Sequence, residues 1–493
     1  MKKFLFTLLP VLTFMIISGI FLTRSSYSAF DFPLDDAWIH QVYARSLFEG
    51  NGFAYNENIQ ESGMTSPLWV VLTASLHVLD YWGPETLVFG IKILGIVLTI
   101  TFIRGAFSLL SYITDSEYYA FVATLFLALD PRLTYSSLSG METSLVLALL
   151  ILTIVCTIKQ KHTLSILFAG LLPVARPEMI IFMPICVYVY SRLSDRKWFP
   201  ELLLLITPTL LWIQFNLVAT GHIFPNTFYL KAQSILNPTQ NIHDLHTLIH
   251  SAGMGAIPLF YLLIILGGYY LLAKKSAQHS RKMISTAFVL TCILLFIGII
   301  YTRQFEISNS GYYWRRYADI PYFMLVLIAG VGFAWLVAKL RQTILAQRPL
   351  TGILVIILLA LNIPTYLTQA NKQRDYLSSD GRSINLINVQ AGKWINDHVP
   401  VYEIVAVNDA GALKYFGNRP TIDLLGLNAS AIMFETDPKI KIAKADWVAV
   451  FPHWFPQNTF DFFAPITTFE IDPAEYTVCA CPDNDLTIMH RTH

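Results

Sequence analysis

The chain has 493 residues, 54% of them hydrophobic and only 14% charged, with a formal net charge of +1. A soluble chain carries about 25% charged residues, so this composition and a mean hydropathy of +0.51 exclude an ordinary soluble enzyme and a disordered chain. The near-zero charge also excludes a polyanion binder, and five Cys do not make a disulfide scaffold.

The first apolar run, residues 4–22, follows Lys2 and Lys3. It is long for a signal peptide and has a poor cleavage site behind it, so it reads as a retained first helix. Next comes a polar loop containing Asp35-Asp36-Ala-Trp38-Ile39-His40. Adjacent carboxylates repel each other, and in a cavity one of them acquires a raised pKa, which suits a general base. The alternative is that the pair complements the dipole at a helix N-terminus. Pro33 marks the start of that helix, and Trp38-Ile39 with Val42-Tyr43 forms a stripe expected to lie along the membrane surface. His40, four residues after Asp36, is a ligand, an acid or simply a helix-face histidine. The apolar stretch 67–79 is too short to cross a bilayer and is expected at the interface.

Further apolar runs lie near 86–111, 117–131, 141–158, 163–175, 177–191, 199–219, 254–273, 284–302, 317–338 and 349–368, giving about eleven spans. Cys156, Cys186 and Cys292 sit inside such runs as small apolar fillers. With the N-terminus inside, the basic loops at Arg104, Lys159/Lys161, Arg192/Arg196/Lys197, Lys274/Lys275 and Lys339/Arg341 fall on the cytoplasmic side. Segments 24–66, 220–252 and 303–316 and the C-terminal tail then lie outside the cytoplasm. The expected location is a bacterial cytoplasmic membrane. Acids, aromatics, Asn and isolated Arg gather on the outer side, which points to chemistry there.

The spans stop near residue 369, dividing the chain into a membrane domain, 1–369, and an extracytoplasmic domain, 370–493. Within the first, 24–83 forms the acidic loop with its surface helices. In the tail, 385–398 reads as an amphipathic helix, 403–408, 421–425 and 447–451 as strands, and 439–444 as a short helix. This alternation predicts a small α/β domain. Asn408-Asp409-Ala-Gly411 is a strand-to-helix turn with a capping Asp, or a ligand site. Cys479 and Cys481 receive no function.

Asp35-Asp36-Ala-Trp-Ile, Tyr43-Ala-Arg45, Glu49-Gly-Asn-Gly52 and Glu61-Ser-Gly-Met-Thr65-Ser-Pro67-Leu-Trp69 together resemble the first-loop signature of the GT-C glycosyltransferases. The branch they resemble most is that of the mycobacterial terminal arabinofuranosyltransferases, with the protein O-mannosyltransferase and aminoarabinose transferase groups more distant. Further matches follow in order: Ser139-Gly-Met-Glu142-Thr143, Arg176-Pro-Glu178, Pro225-Asn226-Thr-Phe-Tyr-Leu-Lys231, Arg316-Tyr317, Asp409-Ala-Gly411 and Asp423-Leu-Leu-Gly-Leu427.

The resemblance implies a membrane enzyme that moves a sugar from a polyprenyl-phosphate donor to an acceptor across the membrane, with the acidic motif as base. Asp35 is then the expected base, with Asp36 positioning the acceptor or sharing the role, and direct displacement inverts the anomeric centre. The phosphate gains charge on leaving, so Glu142, Arg176, Lys231, Arg315 and Arg316 are the candidates around donor phosphate and sugar. Each has a plainer reading: Arg176 as the partner of Glu178, Arg315 and Arg316 as flanking charges, Lys231 as solvated, Glu142 as a dipole-compensating acid. His40, Tyr43, Arg45, Glu61 and Asn226 are candidates for the acceptor side or the cavity wall. No cofactor and no metal are expected to be required. The expected partners are the lipid donor, a glycan, lipid or protein acceptor and the membrane, not nucleic acid. Two competing classes are a lipid-linked glycan flippase, which needs a charged path through the bundle, and a non-catalytic envelope assembly factor.

Overall fold

The computed structural model describes residues 2–193, 199–231, 249, 253–273, 278–302, 315–343, 350–472 and 485–492. Each apolar run of the sequence contains a helix: α1 (Lys2–Leu22), α5 (Pro84–Thr114), α6 (Glu117–Leu129), α8 (Thr143–Ile158), α9 (His162–Ala175), α10 (Phe182–Leu193), α11 (Phe199–Thr220), α13 (Phe260–Ala273), α14 (His279–Thr302), α15 (Asp319–Thr343) and α16 (Leu350–Ile384). Among the described residues, five helices are individually long and apolar enough to cross a membrane: Lys3–Leu22, Pro84–Thr114, Pro200–Thr220, His279–Gly298 and Asp319–Gln342. The helices at 117–129, 162–175 and 260–273 are apolar but shorter. The chain is a polytopic, mostly helical membrane protein with a small α/β unit at its C-terminal end.

Local chemistry sets the helix ends that matter for function. The longest crossing, α5, starts with Pro84 in its first turn and Glu85 against the helix dipole. Between α6 and α8 the chain turns through a short helix, α7 (Pro131–Leu138), capped by the Asp130 carboxylate, which accepts from the Arg132 and Leu133 amides at 2.8 and 3.2 Å. The α7 and α8 axes meet at 110°. Gly140 allows that break with φ +77, and a side chain there would strike Phe32. The stretch 67–79 folds as α4 (Pro67–Ala74) and a 3₁₀ turn (Ser75–Trp82), not as a span.

Helix α16 runs fifteen residues past 369, where the apolar signal ends. Its second half is polar because it bonds to other elements: Asp375 meets Arg24 at 2.9 Å, Ser378 meets Ser25 at 2.6 Å, and Asp380 accepts from Tyr135 at 2.9 Å. The α/β unit therefore begins near 385, later than the hydropathy boundary. Residues 385–389 form a π turn that continues into α17 (Gln390–His398). After the antiparallel pair β1 (Ala54–Asn56) and β2 (Ile59–Gln60), strands β3 (Val405–Val407), β4 (Thr421–Asp423) and β5 (Trp447–Val450) pair in parallel, which the helices between them permit. The sequence reading omitted β6 (Phe463–Glu470) and β7 (Asp485–Arg491), which add antiparallel and give the order β4-β3-β5-β7-β6. Cys479 and Cys481 lie outside the described residues.

Candidate active site

Helix α3 (Asp35–Phe48) follows the first crossing and the short α2 (Ser26–Phe30), at the bundle end that carries the α/β unit. It is not a membrane-surface helix. Trp38, Ile39, Val42 and Tyr43 are buried, and Trp38 packs among Phe32, Tyr415 and Phe416 with ring centroids 4.8–5.0 Å apart. Within the apolar stripe expected along the membrane surface, Trp38 and Tyr43 meet the α/β unit and Ile39 lines a cavity.

A cavity opens beside α3. Its wall collects short segments scattered along the chain: Asp36, Ile39 and His40 from α3, Gly63 to Thr65, Met141 and Glu142 at the α7–α8 break, and Arg176 to Glu178 after α9. Pro225, Thr227, Phe228, Arg316, Tyr317 and Leu427 complete it. Pro225, Thr227 and Phe228 lie in or beside α12 (Asn226–Lys231).

Two guanidiniums dominate the wall. Arg316 is ion-paired with Asp36, and its Nη2 also reaches the Tyr317 hydroxyl at 3.3 Å. Arg176 sits 2.8 Å from Glu178 and 3.6 Å from Glu142, and donates to the Arg316 carbonyl at 3.2 Å. Both stack toward the Tyr317 ring, at 5.5 Å for Arg176 and 5.2 Å for Arg316. The pairing of Arg176 with Glu178, one of its two sequence readings, is present, yet both residues line the cavity. The pair Asp36–Arg316 joins residues 280 positions apart.

Asp35 does not face this cavity. Its carboxylate is buried and accepts from the amides of Gly411 and Ala412, each at 2.8 Å. Burial, followed by the neighbouring Asp409 charge, holds its carboxyl well above the usual range. Successive helix residues point about 100° apart, so with Asp35 turned to the α/β unit, Asp36 turns to the cavity. Of the two acids expected at the site, Asp35 thus points to the α/β unit and Asp36 to the cavity. Asn408-Asp409-Ala-Gly411 is a strand-to-helix turn, leading into α18 (Ala412–Gly417).

Four residues expected at the acceptor side or cavity wall hold elements together instead. Tyr43 donates to Asn428 Oδ1 at 2.9 Å and accepts from the Gly63 amide at 3.1 Å. Arg45 lies 4.2 Å above the Tyr415 ring. Glu61 accepts from Asn226 Nδ2 at 3.1 Å, and from the Ser430 amide and hydroxyl at 3.1 and 2.9 Å. Asn226 also donates to the Leu427 carbonyl at 3.2 Å. His40 and Glu142 do line the cavity. The side chains of Lys231 and Arg315 lie outside the described residues.

The sequence reading gave no role to Tyr317 or Leu427, although both stand in quoted motifs. It also missed a second buried cluster. Arg132 forms a bidentate pair with Asp319 at 2.9 and 3.1 Å, Ser136 donates to the same carboxylate at 2.5 Å, and Tyr322 donates to Asp130 at 2.6 Å. The available signal was Asp130-Pro131-Arg132, three helix-start and charge markers at the end of an apolar run. Among the described residues, no group of three or more His, Cys, Asp or Glu is arranged to hold a metal ion.

Comparison with known proteins adds the following. A family model described as a domain of unknown function (DUF8728) matches residues 379–484. No curated protein matches the chain by sequence. The fold is similar to ArnT from Cupriavidus metallidurans bound to undecaprenyl phosphate, with TM-score 0.58 and 11% identity over 98% of this chain and 97% of that one. It is equally similar to the apo state of that protein, at TM-score 0.58 and 12% identity over the same shares. The chain therefore shares the overall fold of that protein. These likenesses bear on the fold and not on the arabinofuranosyltransferase branch that the motifs resemble.

Proposed function

We propose that the chain is a membrane glycosyltransferase that takes a sugar from a polyprenyl phosphate and passes it to a hydroxyl acceptor in the cell envelope. The observation behind this reading is the cavity itself: two guanidiniums, Arg176 and Arg316, set among three carboxylates, Asp36, Glu142 and Glu178, in a pocket at the bundle end. The neighbour ArnT is similar along almost its whole length and was solved bound to undecaprenyl phosphate. The basic loops on the opposite side support an extracytoplasmic position for this end.

In the proposed reaction the acceptor oxygen attacks the anomeric carbon and the bond from that carbon to the phosphate oxygen breaks. The acceptor proton passes to Asp36, and the phosphate leaves with the bonding pair. Arg316 and Arg176 take up that charge, which a preorganised cation does without rearrangement. Attack opposite the leaving group inverts the anomeric centre. In this structure Arg316 donates to Asp36. A phosphate that takes the Arg316 donors releases the Asp36 carboxylate, so donor binding arms the base. Glu142, Glu178 and His40 face the space left for the sugars.

The test is binding of undecaprenyl phosphate to the purified full chain. Replacing Arg316 or Arg176 by Met removes a charge-assisted contact and weakens binding about 10–100-fold. Unchanged affinity in both variants would remove the phosphate from this cavity and end the reading.

A further inference from the structure

The α/β unit matches a family with no assigned role, and among its contacts two backbone amides reach the first turn of α3. The Gly411 and Ala412 amides each hold one oxygen of Asp35, and the neighbouring Ala410 carbonyl accepts from Tyr55 at 2.8 Å. A side chain on Gly411 would collide with the backbone oxygen and carboxylate of Asp35. Around this point Trp38 is wedged against Tyr415 and Phe416, and Tyr43 and Glu61 are bonded to Asn428 and Ser430. The same unit places Leu427 in the cavity wall.

The first turn of α3 needs this support. Its N-cap, Leu34, makes no side-chain capping bond, so the turn lacks the usual device that fixes a helix start. Asp35 and Asp36 are consecutive residues of that turn. Fixing the direction of one fixes the direction of the other.

We infer that the α/β unit is a working part of the active site: through Gly411 and Ala412 it clamps Asp35, a positioning residue, and so holds Asp36 toward the cavity. This rests on the proposed role of Asp36 as base. The chain separates the two duties of its acidic pair, one carboxylate for geometry and one for the proton. The prolyl and apolar segments around 63–69 and 225–228 then meet a wall that the α/β unit completes.

The experiment uses full-length Asp35→Asn, Gly411→Ala, Tyr55→Phe and Asp36→Asn, expressed at matched membrane levels in cells lacking the native protein. Sugar addition to envelope glycans is followed by mass spectrometry, and undecaprenyl phosphate affinity is measured on the purified chains. Misplacing the base without touching the phosphate site lowers turnover about 10–100-fold in Asp35→Asn and Gly411→Ala. Tyr55→Phe, which loses one neighbouring bond, lowers it about threefold. Affinity stays within about twofold of wild type in all three. Wild-type turnover in the first three variants overturns the inference, as does a parallel fall of turnover and affinity, the mark of a merely structural contact. Should Gly411→Ala or Asp35→Asn fail to fold, Tyr55→Phe decides alone. Wild-type turnover in Asp36→Asn instead sinks the assignment of the base, whatever the other variants show.

Discussion

Arg132 and Arg316 are both buried guanidiniums at the same end of the bundle, and each has a carboxylate partner. Arg132 grips both oxygens of Asp319, Ser136 bonds to one of those oxygens, and the neighbouring Asp130 is held by Tyr322 and by the Arg132, Leu133 and Met254 amides. Neither Arg132 nor Asp319 lines the cavity. Arg316 instead stands on the cavity wall and reaches Asp36 through Nη2. A bidentate pair closed off inside the fold ties helices together, whereas a pair on a cavity wall can exchange one partner for an incoming anion. Residue types are the same in the two cases and both guanidiniums are buried, but the Asp36 side chain is 20% exposed against 4% for Asp319. The access of the cation to open space is what separates a lock from a site.

The comparison breaks most visibly if the lock is opened. Arg132→Met leaves Asp319 buried without its main partner and lowers stability by about 3–5 kcal/mol. This is read as a large fall in the thermal midpoint of the purified protein. A midpoint that does not move would make the Arg132 cluster as dispensable as a surface pair.

A smaller effect is expected at the site. Asp36→Asn removes the charge that competes for Arg316, so undecaprenyl phosphate binds about 3–10-fold more tightly even though transfer fails. Titration of the lipid phosphate against wild type and variant checks this. Equal or weaker binding would mean that Asp36 does not compete with the phosphate.

A third effect, spread over several pH units, concerns the α/β unit itself. Burial pushes the Asp423 carboxyl up to about 6 from an ordinary 3.8, against the opposing hydrogen bonds from Asn428, Leu425 and Gly426. A carboxyl raised in the folded state stabilises most below its ordinary value and loses that contribution as pH rises through about 6. Stability therefore increases as pH falls from 7 toward 4, by at most about 1 kcal/mol per pH unit from this group. Thermal midpoints across that range measure the slope, and Asp423→Asn flattens it. A wild-type slope of the opposite sign would contradict the account.

Much of the fold was legible because the bilayer forces apolar runs of a fixed length. The polar half of α16 was not, since Asp375, Ser378 and Asp380 are explained only by partners far away in sequence. Strands β6 and β7 escaped for a similar reason: β6 alternates exposed and half-covered residues and presents no continuous apolar run. At the site, the motifs were readable but the direction of each side chain was not. Asp35 and Asp36 are indistinguishable by residue type, and their separation is decided by amides 376 and 377 positions later in the chain. Tyr43, Glu61 and Asn226 looked like cavity residues for the same reason: polar groups in a candidate loop serve a buried interface as readily as a substrate.

The central claim, that Asp36 in this cavity accepts the proton of a sugar transfer, is tested most directly in cells lacking the native protein. Wild type and Asp36→Asn are expressed at equal membrane levels, and envelope glycans and lipid-linked sugars are compared by mass spectrometry. The account predicts that wild type adds one sugar mass to a glycan. The variant does so about 10²–10⁴-fold more slowly, and a polyprenyl-phosphate sugar accumulates. Identical glycan profiles from the two proteins would contradict it.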